Sequence, residues 1–185
     1  MGKTGKAQAA KERALSLVYF KDLTINSASP QKTKEAGRLF ARILEYGDVV
    51  LLGGELGAGK TTFISGTAAG LGIDENLSSP SFTILNIYTK SKLCLVHADF
   101  YRLDGIDDIL NTGIEQYLGA KNTLTFIEWG EKIKDFLKKD FAQIYFEYNL
   151  LDKNARTISI KGSGPAWGKK IIKLGKLLKN AHFGN

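Results

Sequence analysis

One stretch constrains this chain more than any other: Gly54-Glu55-Leu56-Gly57-Ala58-Gly59-Lys60-Thr61. It has the form G-x-x-x-x-G-K-[ST], and its flanks suit that form. Before it, DVVLLGG (48–54) is a short continuous apolar run, the mark of a buried central strand. After it, TTFISGTAAGLGI (61–73) reads as a helix closed by Gly70 and Gly72. Three glycines let the backbone wrap so that consecutive N–H groups point inward at phosphate oxygens. The helix that follows turns its positive end toward the same anion. Lys60 supplies a mobile charge for the outer phosphates. Thr61 supplies a hydroxyl ligand for Mg²⁺, a hard cation that prefers oxygen, and Thr62 can bond a further phosphate oxygen. The expected nucleotide-binding set is therefore Glu55, Gly57, Ala58, Gly59, Lys60, Thr61 and Thr62, with ATP or ADP and Mg²⁺ as the cofactors.

Such a loop needs an acid to hold the metal shell and orient the attacking water, and that acid usually ends an apolar strand. LCLVHAD ends in Asp99 and LTFIE ends in Glu128. Both are candidates for metal binding and catalysis, beside Lys60 and Thr61. His97 alternates with Asp99 along its strand, and structural His residues are common in such places. Between the loop helix and the next strand lies Leu77-Ser78-Ser79-Pro80-Ser81-Phe82-Thr83. Its hydroxyls can reach a γ-phosphate as an ordered switch segment would, or the stretch is a Ser/Pro turn entering a strand.

The remaining chain alternates strand and helix patterns. LVYFKDLTI (17–25) reads as a strand. Ser29-Pro30 opens a helix that ends at Gly47. FTILNIYT and LCLVHAD make a hairpin around KSK, and AQIYFEYNLL and RTISIKG make another around DKN. DDILNTGIEQYL (107–118) and EKIKDFLKK read as helices. WGKKIIKLGKLLKN sets Trp167, Ile171, Leu174 and Leu178 on one face and Lys169, Lys173 and Lys176 on another. The expected class is α/β, a P-loop single domain with a mixed central sheet flanked by helices. Residues 1–22 form a basic N-terminal extension, 23–162 the P-loop domain, and 163–185 a basic amphipathic C-terminal helix.

Charge and cysteine content narrow the function classes. One cysteine, Cys94, excludes a disulfide framework and a multi-cysteine zinc site. The net charge of +7 sits in the tails: residues 161–185 hold six basic and no acidic residues, whereas residues 22–160 hold 15 basic and 18 acidic ones. No run of apolar residues is long enough to span a membrane, and no secretory signal pattern opens the chain, so the expected location is cytoplasmic. N-K-x-D and LSGGQ-like segments are missing, which argues against a switch GTPase and a transporter ATPase. Beyond the loop the only arginines are Arg102 and Arg156, few for a small-molecule kinase that must clamp two phosphates. A kinase and a nucleotide-dependent RNA-binding module stay as the alternatives.

Taken together, GGELGAGKTTF, GLGI, SSPSFTILNIY, HADFYRL, GIEQYL and IEWGE resemble one family, the bacterial TsaE (YjeE) ATPases of tRNA threonylcarbamoyladenosine formation. The match runs from about Thr33 to Glu131, with Ser81 where the family usually has Thr. The resemblance implies a small ATPase working with TsaD and TsaB homologues, which transfer the threonylcarbamoyl group to a tRNA adenosine. The subunit would meet tRNA indirectly, through that complex, and would reset it by hydrolysing ATP. It implies Lys60 on phosphate, Thr61 on Mg²⁺, and Asp99 and Glu128 at the metal or water site. Ser81, Thr83, Tyr101 and Trp129 then fall at positions linked to nucleotide response or partner contact.

Overall fold

The computed structural model describes residues 22–73, 77–137 and 140–183. Its centre is one seven-stranded sheet. The strands are β1 (Leu23–Ser27), β2 (Val49–Gly54), β3 (Leu85–Lys90), β4 (Leu93–Asp99), β5 (Thr123–Glu128), β6 (Phe141–Tyr148) and β7 (Arg156–Ser163). The helices are α1 (Pro30–Ala41), α2 (Lys60–Gly70), the short α3 (Ile106–Leu110) and α4 (Pro165–Asn180). In space the strands run β1-β7-β6-β2-β5-β4-β3. The inner four, β6-β2-β5-β4, pair in parallel, and the two expected hairpins, β3–β4 and β6–β7, pair antiparallel.

Period-two alternation along β2 splits its side chains between two cores. Val50 and Leu52 face the layer built by α1, α2 and α4, with Phe40, Phe63, Phe126, Phe146 and Trp167. Val49 and Leu51 face the other layer, with Val96, Phe100, Ile109, Ile127 and Ile133. The first layer is held by aromatic contacts: Phe40 stacks on Trp167 at 5.9 Å and leans on Phe63 at 5.3 Å. Ser29 caps α1 by accepting from the Lys32 N–H, and Pro30 fills its first turn, as the sequence requires.

Three expectations shift. The segment at 107–118 is two short pieces, α3 and a 3₁₀ turn at Ile114–Gln116. Thr112 Oγ1 donates to the Ile109 carbonyl and accepts from the Ile114 N–H, so a side chain takes over backbone bonding and stops the helix. The expected helix after Glu128 is a 3₁₀ helix, Gly130–Phe136. Helix α1 ends at Ala41, short of Gly47. Strand β1 begins at Leu23; residues 17–21 of the expected strand lie outside the described residues, as does most of the N-terminal extension.

The C-terminal helix is part of the sheet's packing. Trp167, Ile171, Leu174 and Leu178 are buried. So is Lys170, three residues after Trp167 and four before Leu174 on the same side of the helix. Its Nζ lies 2.7 Å from both oxygens of Asp48, at the foot of β2. No described helix is long and apolar enough to cross a membrane.

Candidate functional site

The parallel strands deliver the expected residues to one edge. Strand β2 lies between β5 and β6, and the glycine loop leaves its carboxyl end. Asp99 and Glu128 close β4 and β5 as register partners, and Glu128 is also the partner of Leu52 on β2. Carboxyl ends of central parallel strands are where α/β sheets bind ligands.

The loop's backbone needs its glycines. Gly59 caps α2 with φ of 105°, in the left-handed region. Gly54 has φ of 116°, and a Cβ there would collide with the Phe146 carbonyl on the next strand. Lys60 begins α2 and is almost fully buried, at 4% exposure. Its ammonium donates back to the loop's own carbonyls, Gly54 O at 2.7 Å and Glu55 O at 2.9 Å. Burial pushes its pKa below the usual lysine value, opposed by the charges of Glu128, Asp99 and Glu131.

Glu128 is the hub. Its Oε1 accepts from Thr61 Oγ1 at 2.6 Å and lies 3.0 Å from Nε2 of the fully buried His97. Both contacts land on one oxygen, and among the described residues Oε2 takes no hydrogen bond. Asp99 is more fully engaged. Ser79 Oγ and Ser81 Oγ each donate to its Oδ2 at 2.7 Å, and the Tyr101 N–H donates to Oδ1 at 3.0 Å. Of the Ser/Pro segment, then, Ser79 and Ser81 reach the site by way of Asp99. Thr83 turns away and donates to Asn86 Oδ1. Trp129 follows Glu128 in a left-handed conformation, with φ of 59°. That turn lays its ring 4.7 Å from Lys60 Nζ and 5.2 Å from the Tyr101 ring.

A second set of contacts escaped the sequence reading. From the β6–β7 hairpin, Tyr148 Oη donates to the Leu56 carbonyl at 2.5 Å, and Arg156 Nε donates to the Ala58 carbonyl at 3.1 Å. The guanidinium also lies 4.3 Å over the Tyr148 ring. Together they clasp the outside of the loop. Arg156 and Asn154 border a cavity of about 60 Å³ with Pro30, Thr33, Gly57, Gly59 and Thr62. No motif announces these residues, because their partners are backbone carbonyls nearly a hundred positions away. Arg102, the arginine nearest the motifs in sequence, instead covers the exposed Phe82 ring at 4.3 Å.

The donor set fits a magnesium–nucleotide pair. Thr61, Glu128 and Asp99 offer hard oxygens, and Lys60 is held where an anion can draw it off its carbonyls. No group of three or more His, Cys, Asp or Glu residues forms a metal cage among the described residues. Mg²⁺ bound through one or two carboxylates and the substrate's phosphates needs no such cage.

Strand, glycine loop, helix and paired acids on a mixed sheet make this a P-loop NTPase fold. The family model described as threonylcarbamoyl adenosine biosynthesis protein TsaE matches residues 27–158, and the chain belongs to the TsaE family. It is similar to the tRNA threonylcarbamoyladenosine biosynthesis protein TsaE of Treponema pallidum, with 43% identity over 107 residues, 58% of this chain and 78% of that protein. The Bacillus subtilis protein of the same name is 35% identical over 143 residues, 77% of this chain and 89% of its own. The crystal structure of B. subtilis YdiB superposes with a TM-score of 0.70 at 29% identity, covering 88% of this chain and 98% of that one.

Proposed function

We propose that this protein is a Mg²⁺-dependent ATPase that supports tRNA threonylcarbamoyladenosine formation together with TsaB and TsaD homologues. The observation that carries the reading is the Thr61–Glu128–His97 chain beside Lys60. It ties the loop's Thr61 hydroxyl to a carboxylate whose second oxygen takes no hydrogen bond among the described residues. The likeness to threonylcarbamoyladenosine biosynthesis proteins supports the biosynthetic assignment.

The residues divide the work. The loop N–H groups and the start of α2 bind the phosphates. Lys60 leaves the carbonyls of Gly54 and Glu55 for the outer phosphates. Thr61, Glu128 and Asp99 would hold Mg²⁺, which when bound neutralises charge on the phosphate oxygens. Glu128 is the more available acid, since Asp99 already accepts three hydrogen bonds. Glu128 Oε2 orients the attacking water by accepting its hydrogen bond. Asp99 also accepts from Ser79 and Ser81, so their segment would be the nucleotide-responsive element.

Both arginines beyond the loop are already committed, Arg102 to Phe82 and Arg156 to the loop carbonyls. Neither serves as an arginine finger, so turnover is slow until a partner completes the site. The rim suits a protein partner: Leu56, Phe82, Leu150 and Leu151 are all at least 70% exposed. The test is product analysis with and without TsaB and TsaD homologues. Free phosphate released slowly, and faster with the partners, supports the reading. A phosphorylated metabolite in place of free phosphate, or full-speed turnover indifferent to the partners, overturns it.

A further inference from the structure

Helix α4 carries a second feature that the nucleotide site does not use. Residues 161–185 hold six lysines and no acid. Two of them are neutralised in the fold: Lys161 pairs with Asp22 at 3.1 Å, and Lys170 pairs with Asp48 at 2.7 Å and Glu45 at 3.1 Å. The other four, Lys169, Lys173, Lys176 and Lys179, are exposed and have no hydrogen bond or ion pair among the described residues. Helical geometry at about 100° per residue places them within an arc of roughly 120°, along about 15 Å of axis. The charge is concentrated here, because residues 22–160 carry more acidic than basic residues.

We propose that this stripe is a binding surface for the phosphate backbone of a folded RNA. Three features select that occupant. The apolar side of α4 is spent in the core, with Trp167, Ile171, Leu174 and Leu178 buried. A helix that lies on a membrane must sink that side into the lipid, so the bilayer loses its hold. The stripe is all lysine, with no arginine fork to read base edges; it offers point charges that neutralise phosphates without regard to sequence. Four unneutralised charges in a row also match a polyanion's continuous charge better than a single anionic group. The helix runs back toward the nucleotide edge: the Phe183 ring, just past its end, lies 4.8 Å from Lys32 Nζ in the first turn of α1. RNA lying on the stripe therefore approaches the cleft without entering it.

The experiment uses the full chain and an unmodified tRNA transcript, followed by fluorescence anisotropy from 50 to 200 mM salt. It compares wild type with the combined variant Lys169→Gln, Lys173→Gln, Lys176→Gln and Lys179→Gln. Glutamine keeps the helix propensity, and circular dichroism verifies the fold. Four phosphate contacts contribute about 3 to 3.6 to the slope of log affinity against log salt. The variant should lose that much slope, and wild type should weaken roughly a hundredfold more than the variant across the range. A Lys60→Ala protein should bind the RNA as wild type does, which separates this surface from the nucleotide reading. Four results overturn the proposal: RNA binding undiminished in the combined variant, no RNA binding by wild type, loss of RNA binding in Lys60→Ala, or tighter binding of wild type to phosphatidylserine vesicles than to RNA.

Discussion

Thr61 Oγ1 donates to Glu128 Oε1 at 2.6 Å, across 67 positions of sequence. Glu128→Ala should lower kcat at least a hundredfold, the scale lost when one preorganised electrostatic group is removed, ~10²–10³. Thr61→Ala should do the same. The two act on one site, so the double variant should be no worse than the poorer single one. Steady-state phosphate release reads all three. A Glu128→Ala protein with wild-type turnover would remove Glu128 from the mechanism.

The clasp on the outside of the loop is the second target. Arg156→Ala removes a charged donor from the Ala58 carbonyl, worth about 1.5–3 kcal/mol, so nucleotide affinity should fall roughly 10- to 100-fold. Tyr148→Phe removes only the hydroxyl bond to Leu56 and should cost less, about 2- to 10-fold. Titration with a fluorescent nucleotide measures both. Equal affinity in all three proteins would show that the clasp does not shape the loop.

These contacts mark where the sequence stops being legible. The glycine loop, its strand and its helix are readable because their constraints are local: an apolar run, φ values only glycine tolerates, and a lysine and threonine at fixed offsets. Asp99 and Glu128 are readable because acids at the ends of apolar strands stand out. Tyr148 and Arg156 are not, since they bond to backbone carbonyls and any sequence presents those. The Lys170–Asp48 pair is not readable for a related reason: its two partners lie 122 positions apart. The 107–118 segment misleads because one hydroxyl, that of Thr112, competes with the helix's own bonding.

The Lys170–Asp48 pair is about nine-tenths buried on both sides. Asp48→Ala should therefore destabilise the protein by about 3 kcal/mol, because it leaves the buried lysine charge only the exposed Glu45 carboxylate as a partner. Adding Lys170→Met should recover most of that loss. Urea denaturation gives both values. A single variant within about 0.5 kcal/mol of wild type would mean that the pair is hydrated and inconsequential.

Lys60 links the site to pH. Burial lowers its folded pKa below the 10.5 of the free side chain. In the window between those two values the unfolded chain binds more protons than the folded one, so folding becomes more favourable as pH rises. Below the folded pKa the cost of burying the charge is present in full. Relative to wild type, Lys60→Met should thus be favoured most near neutral pH, and the advantage should shrink as pH climbs toward 10.5. Paired denaturation curves across that range test the sign. A difference that stays flat with pH would contradict the lowered pKa.

The central claim is that the loop before Lys60 closes on the phosphates of a nucleotide. Isothermal titration calorimetry with Mg²⁺–ATP and Mg²⁺–ADP tests it most directly, on wild type and on folded Lys60→Ala. The account predicts saturable one-to-one binding by wild type and little or none by the variant. Absence of heat with well-folded wild type, or equal binding by the two proteins, would contradict it.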